Sequence, residues 1–124
     1  MPYLKSFLAA FFLFSFSGFA SAESIAPGTY EGAGDGDTVT LKIDGNDAHV
    51  STILVGKCTG AAEGRLVQTD PGTYLLSDTQ YRDISVCTIE IKDLGKGKLS
   101  VRDIGGCMPH HGMQCGFNAD VSLK

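Results

Sequence analysis

Hydrophobic and polar residues alternate along much of this chain, and clusters of turn residues break the alternation every ~8–12 residues, the spacing of short strands. Val39, Leu41 and Ile43 fall on one face of the run 38–44, with Thr38, Thr40 and Lys42 on the other, the mark of a half-buried strand. Asp44-Gly45-Asn46-Asp47 then reverses the chain, because Gly and Asn accept the positive φ of a tight hairpin. A return strand follows over 49–55. The same reasoning predicts strands over 29–33, 65–68, 73–77, 84–91, 98–104 and 117–123, separated by turns at 34–37, 69–72 and 94–97.

Two stretches depart from the simple pattern. Residues 56–63 hold Cys58 among small residues and read as a bend or a close crossing. In 84–91, Cys87, Ile89 and Ile91 share one face while Ile84 and Val86 occupy the other, which predicts a bulge or burial on both faces.

No run carries a convincing helical period. The fold class expected is therefore all-β, a small antiparallel β-barrel or sandwich of about eight short strands, stapled by disulfides. Closure into a barrel would protect edge strands that the pattern leaves bare. With no tryptophan in the chain, Tyr30, Tyr74, Phe117 and the aliphatic residues are left to fill the core.

The first residues follow another logic. Lys5 precedes an apolar run from Phe7 to Phe19, and Ala20-Ser21-Ala22 ends it with small residues. This is the plan of a secretory signal peptide over 1–22, and the run is shorter than the about 20 apolar residues a membrane span needs. The remainder, 23–124, is expected to be one secreted domain, periplasmic or fully exported. Losing Lys5 leaves nine basic against fourteen acidic residues, a net charge of −5. Without a basic block, that balance argues against nucleic acid and anionic membrane surfaces as partners, and it admits a basic protein.

All four cysteines, Cys58, Cys87, Cys107 and Cys115, lie in the exported part, and an even count in a small secreted domain reads as two disulfides. Three connectivities are open. The pairing favoured is Cys58–Cys87 with Cys107–Cys115, because proline and glycine between the last two permit a tight reversal. Bridged in that way, 107–115 would form a rigid tongue standing off a sheet edge.

Candidate chemistry collects in that segment. Met108, His110, His111 and Met113 put thioethers beside imidazoles, a donor set that suits copper, although oxidised cysteines would add no ligand. Turn aspartates Asp35, Asp37, Asp44 and Asp47 offer oxygen ligands but lack the spacing of a calcium loop. No nucleophile-elbow motif is present, so no enzyme activity and no cofactor are expected. The polar connection 77–83 contains Tyr81 and Arg82, side chains that often anchor protein interfaces.

A tail of the form Cys-x-x-x-His-Gly-x-x-Cys-x-Phe, here Cys107, His111, Gly112, Cys115 and Phe117, resembles one that recurs in small cysteine-bridged periplasmic domains of Gram-negative bacteria. Some proteins of this type are periplasmic inhibitors of c-type lysozyme. Ser77 and Tyr81 have the spacing of that family's Ser-Gly-x-x-Tyr motif with Asp78 in place of glycine, and its Tyr-x-x-x-Thr-Lys-Gly motif is absent. The resemblance implies a non-catalytic barrel that pushes a loop into the cleft of a basic hydrolase. Ser77, Tyr81, Arg82, His110 and His111 are then the expected partner-binding residues.

Overall fold

The computed structural model describes residues 25–124, and the expected signal peptide lies outside the described residues. Eight strands follow in order: β1 (Gly28–Ala33), β2 (Thr38–Asp44), β3 (Asp47–Leu54), β4 (Cys58–Asp70), β5 (Thr73–Asp78), β6 (Cys87–Gly95), β7 (Lys98–Gly105) and β8 (Ala119–Leu123). Each pairs antiparallel with its neighbour, and β1 meets β8 through Tyr30↔Leu123 and Glu31↔Ser122. The sheet thus closes into a barrel rather than splitting into a sandwich.

The interior follows from the alternation. Val39, Leu41, Val50, Leu76, Ile89, Ile91, Val101, Phe117 and Val121 are all fully buried, and Tyr30 and Tyr74 complete the core as expected. Small barrels of this strand number are filled by side chains instead of enclosing a channel. The segment ahead of β1 is tied down from Ile25 onward: Ile25 is buried, and the Tyr30 hydroxyl donates to Ala26 O at 2.7 Å.

Because every connection joins neighbours, the connections fall alternately at two ends. One end has tight turns at 45–46, 71–72 and 96–97; the other gathers 34–37, 55–57, 79–86 and 106–118. Only this second end carries long connections. Within 106–118 lies a single-turn helix, α1 (Met108–His111).

Strand β4 replaces the expected bend at 56–63 and the separate strand at 65–68. It runs unbroken for 13 residues. Residues 58–65 pair with β3 and 66–70 pair with β5, so β4 turns a corner between two neighbours. Its apolar alternation was invisible because Gly60, Ala62 and Gly64 occupy alternate positions where close neighbours leave no room. A Cβ on Gly64 would lie 2.5 Å from Ser77 O, and one on Gly60 2.6 Å from His110 O.

Strand β6 begins at Cys87, later than expected, and its ladder with β7 carries a register shift between Thr88 and Ile89. Ile84 and Val86 precede the strand and face solvent rather than a second core.

Candidate functional site: the lidded end of the barrel

The bonds joining the cysteines are Cys58–Cys115 and Cys87–Cys107, not the pairing favoured from sequence. The cause is the β6–β7 hairpin. Its ladder sets Thr88 opposite Gly105, so the residues just beyond, Cys87 and Cys107, arrive side by side with Cα atoms 4.2 Å apart. Cys115 is carried across the mouth to the first residue of β4. Chain-entropy arithmetic gives about 3 kcal/mol for the bridge of sequence separation 20 and about 4 kcal/mol for that of separation 57, each taken alone.

As a result, 107–118 is no tongue standing clear of the sheet. It is a lid, sewn to two strands and pressed onto the barrel mouth. Cys107, His110, Cys115 and Phe117 are buried beneath it. Gly106, at φ 80°, makes the entry possible: a Cβ there would sit 2.0 Å from Val86 O.

The lid also supplies what β4 lacks. Beyond the point where β5 stops pairing, the edge of β4 still offers Ala61 O and Glu63 N, and exposed or buried edge groups need partners. His110 Nδ1 meets Ala61 O at 3.1 Å, and Asp78 Oδ2 accepts Glu63 N–H at 2.7 Å. The same carboxylate lies 3.7 Å from His110 Nδ1, and its Oδ1 accepts Gln80 N–H at 2.8 Å. A carbonyl can only accept, so Nδ1 carries a proton. Nε2 of the ring is buried with no hydrogen-bond partner among the described residues. Tyr81 packs edge-on to the imidazole, ring centres 4.9 Å apart.

His111 is equally engaged. Its Nε2 lies 3.3 Å from Asp103 Oδ2, its Nδ1 faces Gly112 O, and its ring meets Phe117 edge-on at 5.0 Å. On the far side of the lid, buried Asp37 accepts from Thr52 Oγ1 at 2.5 Å and from Gly116 N–H at 3.2 Å. Three carboxylates, Asp37, Asp78 and Asp103, therefore fasten the lid from three directions.

The structure brings together the two segments singled out in the sequence, since Tyr81 and Asp78 of one touch His110 of the other. It assigns their residues differently. The imidazoles of His110 and His111 face inward as fasteners, whereas Ser77, Tyr81 and Arg82 remain exposed. The Arg82 guanidinium makes no ion pair among the described residues. Met108 and Met113 are 55% and 89% exposed, so the thioethers face solvent while the imidazoles face protein. Asp35 and Asp37 lie at the lidded end and Asp44 and Asp47 at the opposite one, too far apart to share an ion. Among the described residues no three His, Cys, Asp or Glu side chains are grouped to hold a metal.

Sequence reasoning missed Asp78 and Asp37 as fasteners. Period two held the clue: Asp78 continues the inward series Tyr74, Leu76, and Asp37 precedes the inward series Val39, Leu41, Ile43. Gly60 left no sign, because a glycine that admits a neighbour looks like one that makes a turn.

Fold and site together define a small, closed eight-stranded antiparallel barrel with a doubly disulfide-anchored lid. Comparison with protein-family models, curated proteins and solved structures gives no match for the chain. Among the described residues no helix is long and apolar enough to cross a membrane, and two disulfides fit an oxidising, extracytoplasmic setting.

Proposed function

We propose that this protein is a non-catalytic periplasmic binding protein that inhibits a lysozyme-type cell-wall hydrolase with the lidded end of its barrel. The observation that carries the reading is the meeting of 77–82 with the lid on one disulfide-anchored surface, where Tyr81 rests on His110 and Arg82 stays unpaired. Binding costs less when the contacting segments are ordered beforehand, and two covalent anchors supply that order. A hydrolase cleft carries acidic catalytic groups. Arg82 offers unpaired charge-assisted donors for a carboxylate on this surface, and Tyr81 and Ser77 add neutral ones. The acidic body of the protein, net −4 over the chain, steers it towards a basic target.

The test is a lysis assay with c-type lysozyme and the oxidised protein. Inhibition is expected at near-stoichiometric ratios, with Arg82→Ala weakening it at least tenfold. Undiminished lysis at a clear molar excess would refute the reading.

A further inference from the structure

Charge and apolar surface are both distributed unevenly over this barrel, and in the same direction. Of the eleven large apolar side chains exposed among the described residues, eight lie at the lidded end. They cluster about the two disulfides. Ile84 and Val86 stand just before Cys87, while Ile104 and Met108 flank Cys107; Val55 precedes Cys58, and Met113 precedes Cys115. Val55, Ile84 and Met113 are 85%, 75% and 89% exposed. Single exposed apolar residues need no explanation, but a set held on one rigid face marks a contact surface.

The same end holds Asp35, Asp37, Asp78, Asp83 and Asp103 against Lys57 and Arg82, a balance of −3. The eight other acidic and seven other basic residues of 25–124 nearly cancel. Most of the net charge of the described chain therefore belongs to the apolar end. An anionic lipid surface is repelled by such a face, and so is a second copy of it. A cationic protein surface is attracted.

We infer that the lidded end is a docking face for a basic protein whose contact surface has an apolar centre ringed by Lys or Arg, with Ile84, Val86, Ile104 and Met108 around the Cys87–Cys107 bridge as its apolar core. This rests on the reading of the protein as a binding domain and adds to it: the energy of contact comes from the apolar ring about one disulfide, and the acidic fasteners beneath it select the partner's charge. Arg82 sits at the rim of this face as an orienting group.

Two synthetic amphipathic helices, one of leucine and lysine and one of leucine and glutamate in the same pattern, test this without lysozyme. The oxidised protein, 15N-labelled, is titrated with each while amide shifts are followed. The Leu–Lys helix is expected to bind and to shift amides of 84–86, 104–108 and 113–115. Its affinity should fall with added salt, and at least tenfold in the double variant Ile84→Ser plus Ile104→Ser, whose exposed sites leave the fold intact. Val67→Ser plus Leu94→Ser, away from that end, should leave it unchanged. Equal binding of the Leu–Glu helix overturns the inference, as does shift of the opposite end alone. Association with anionic vesicles, or self-association lost in the double variant, would overturn it in favour of a membrane or a second copy. A protein that binds the Leu–Lys helix as described but leaves lysozyme uninhibited keeps this face and loses only the hydrolase as target.

Discussion

Replacing Gly60 with alanine probes the seating of the lid on β4. A Cβ at this position would lie 2.6 Å from His110 O, 2.6 Å from His111 Cβ and 2.8 Å from His111 Cα. Ordinary contacts begin near 3.4 Å, so α1 would have to rise by roughly 0.5–1 Å. No side-chain rotation relieves the clash, since two of the three atoms are backbone. Nor can α1 rise freely, because Cys107 and Cys115 on either side of it are bonded to β6 and β4. Overpacking of this kind costs about 1–3 kcal/mol. Alanine recovers about 0.5–1 kcal/mol by stiffening the unfolded chain relative to glycine. At the middle of both ranges the repulsion wins, leaving a net loss of about 1 kcal/mol. For a domain of this size that corresponds to a fall in Tm of roughly 4–8 °C. Thermal unfolding under oxidising conditions measures the loss, and amide exchange locates it: protection should fall at 108–112 and persist in β2 and β3. Thr59→Ala, at an exposed neighbouring site, is the control. An unchanged Tm with full protection of α1 would refute the seating described here.

The other fasteners give further expectations. Asp78→Ala leaves Glu63 N–H and Gln80 N–H without their acceptor and removes the carboxylate beside His110 Nδ1, a loss of about 2–4 kcal/mol seen in urea unfolding; Asp78→Asn should recover part of it, and equal losses in both would argue against the carboxylate's role. Removing Cys58 and Cys115 together should cost up to about 4 kcal/mol and free the lid's exit, while the barrel's far-ultraviolet circular dichroism stays native. At high pH the expectation concerns Tyr30, whose pKa is raised first by burial and then by the negative charge of Asp93. The unfolded chain then loses this proton before the folded one does. Stability from Tyr30 is thus complete below the ordinary tyrosine pKa of 10.0 and declines as pH rises through the higher folded value. Tyr30→Phe should flatten the alkaline limb of a stability–pH curve, and an unaltered limb would contradict it.

Most of the barrel could be read from the alternation because its strands obey it. The run 38–44 has the bounds of β2, and the turn at 45–46 has Gly45 at φ 64°, as a tight hairpin requires. Legibility failed wherever an inward position holds something other than a large apolar side chain. Gly60, Ala62 and Gly64 hid β4, since space there is taken by the lid and by β5. Asp37 and Asp78 looked like turn residues, though period two places both inward. Ile84 and Val86 misled in the opposite sense, being apolar residues that belong to the surface.

The cysteines were paired by nearness in sequence when nearness across a hairpin decided the matter. Folding β6 against β7 about the turn at 96–97 brings Cys87 next to Cys107, and that geometry was available from the strand pattern alone. The lid could not be foreseen in the same way. Its position depends on an acceptor left over on β4, and such a vacancy exists only once the register of β4 against β5 is known.

The arrangement stands or falls on its two covalent anchors. Digestion of the purified, unreduced protein, followed by mass spectrometry, should yield one peptide pair joining Cys58 to Cys115 and another joining Cys87 to Cys107. Pairs joining Cys58 to Cys87 and Cys107 to Cys115, or free thiols at any of the four positions, would contradict the lid.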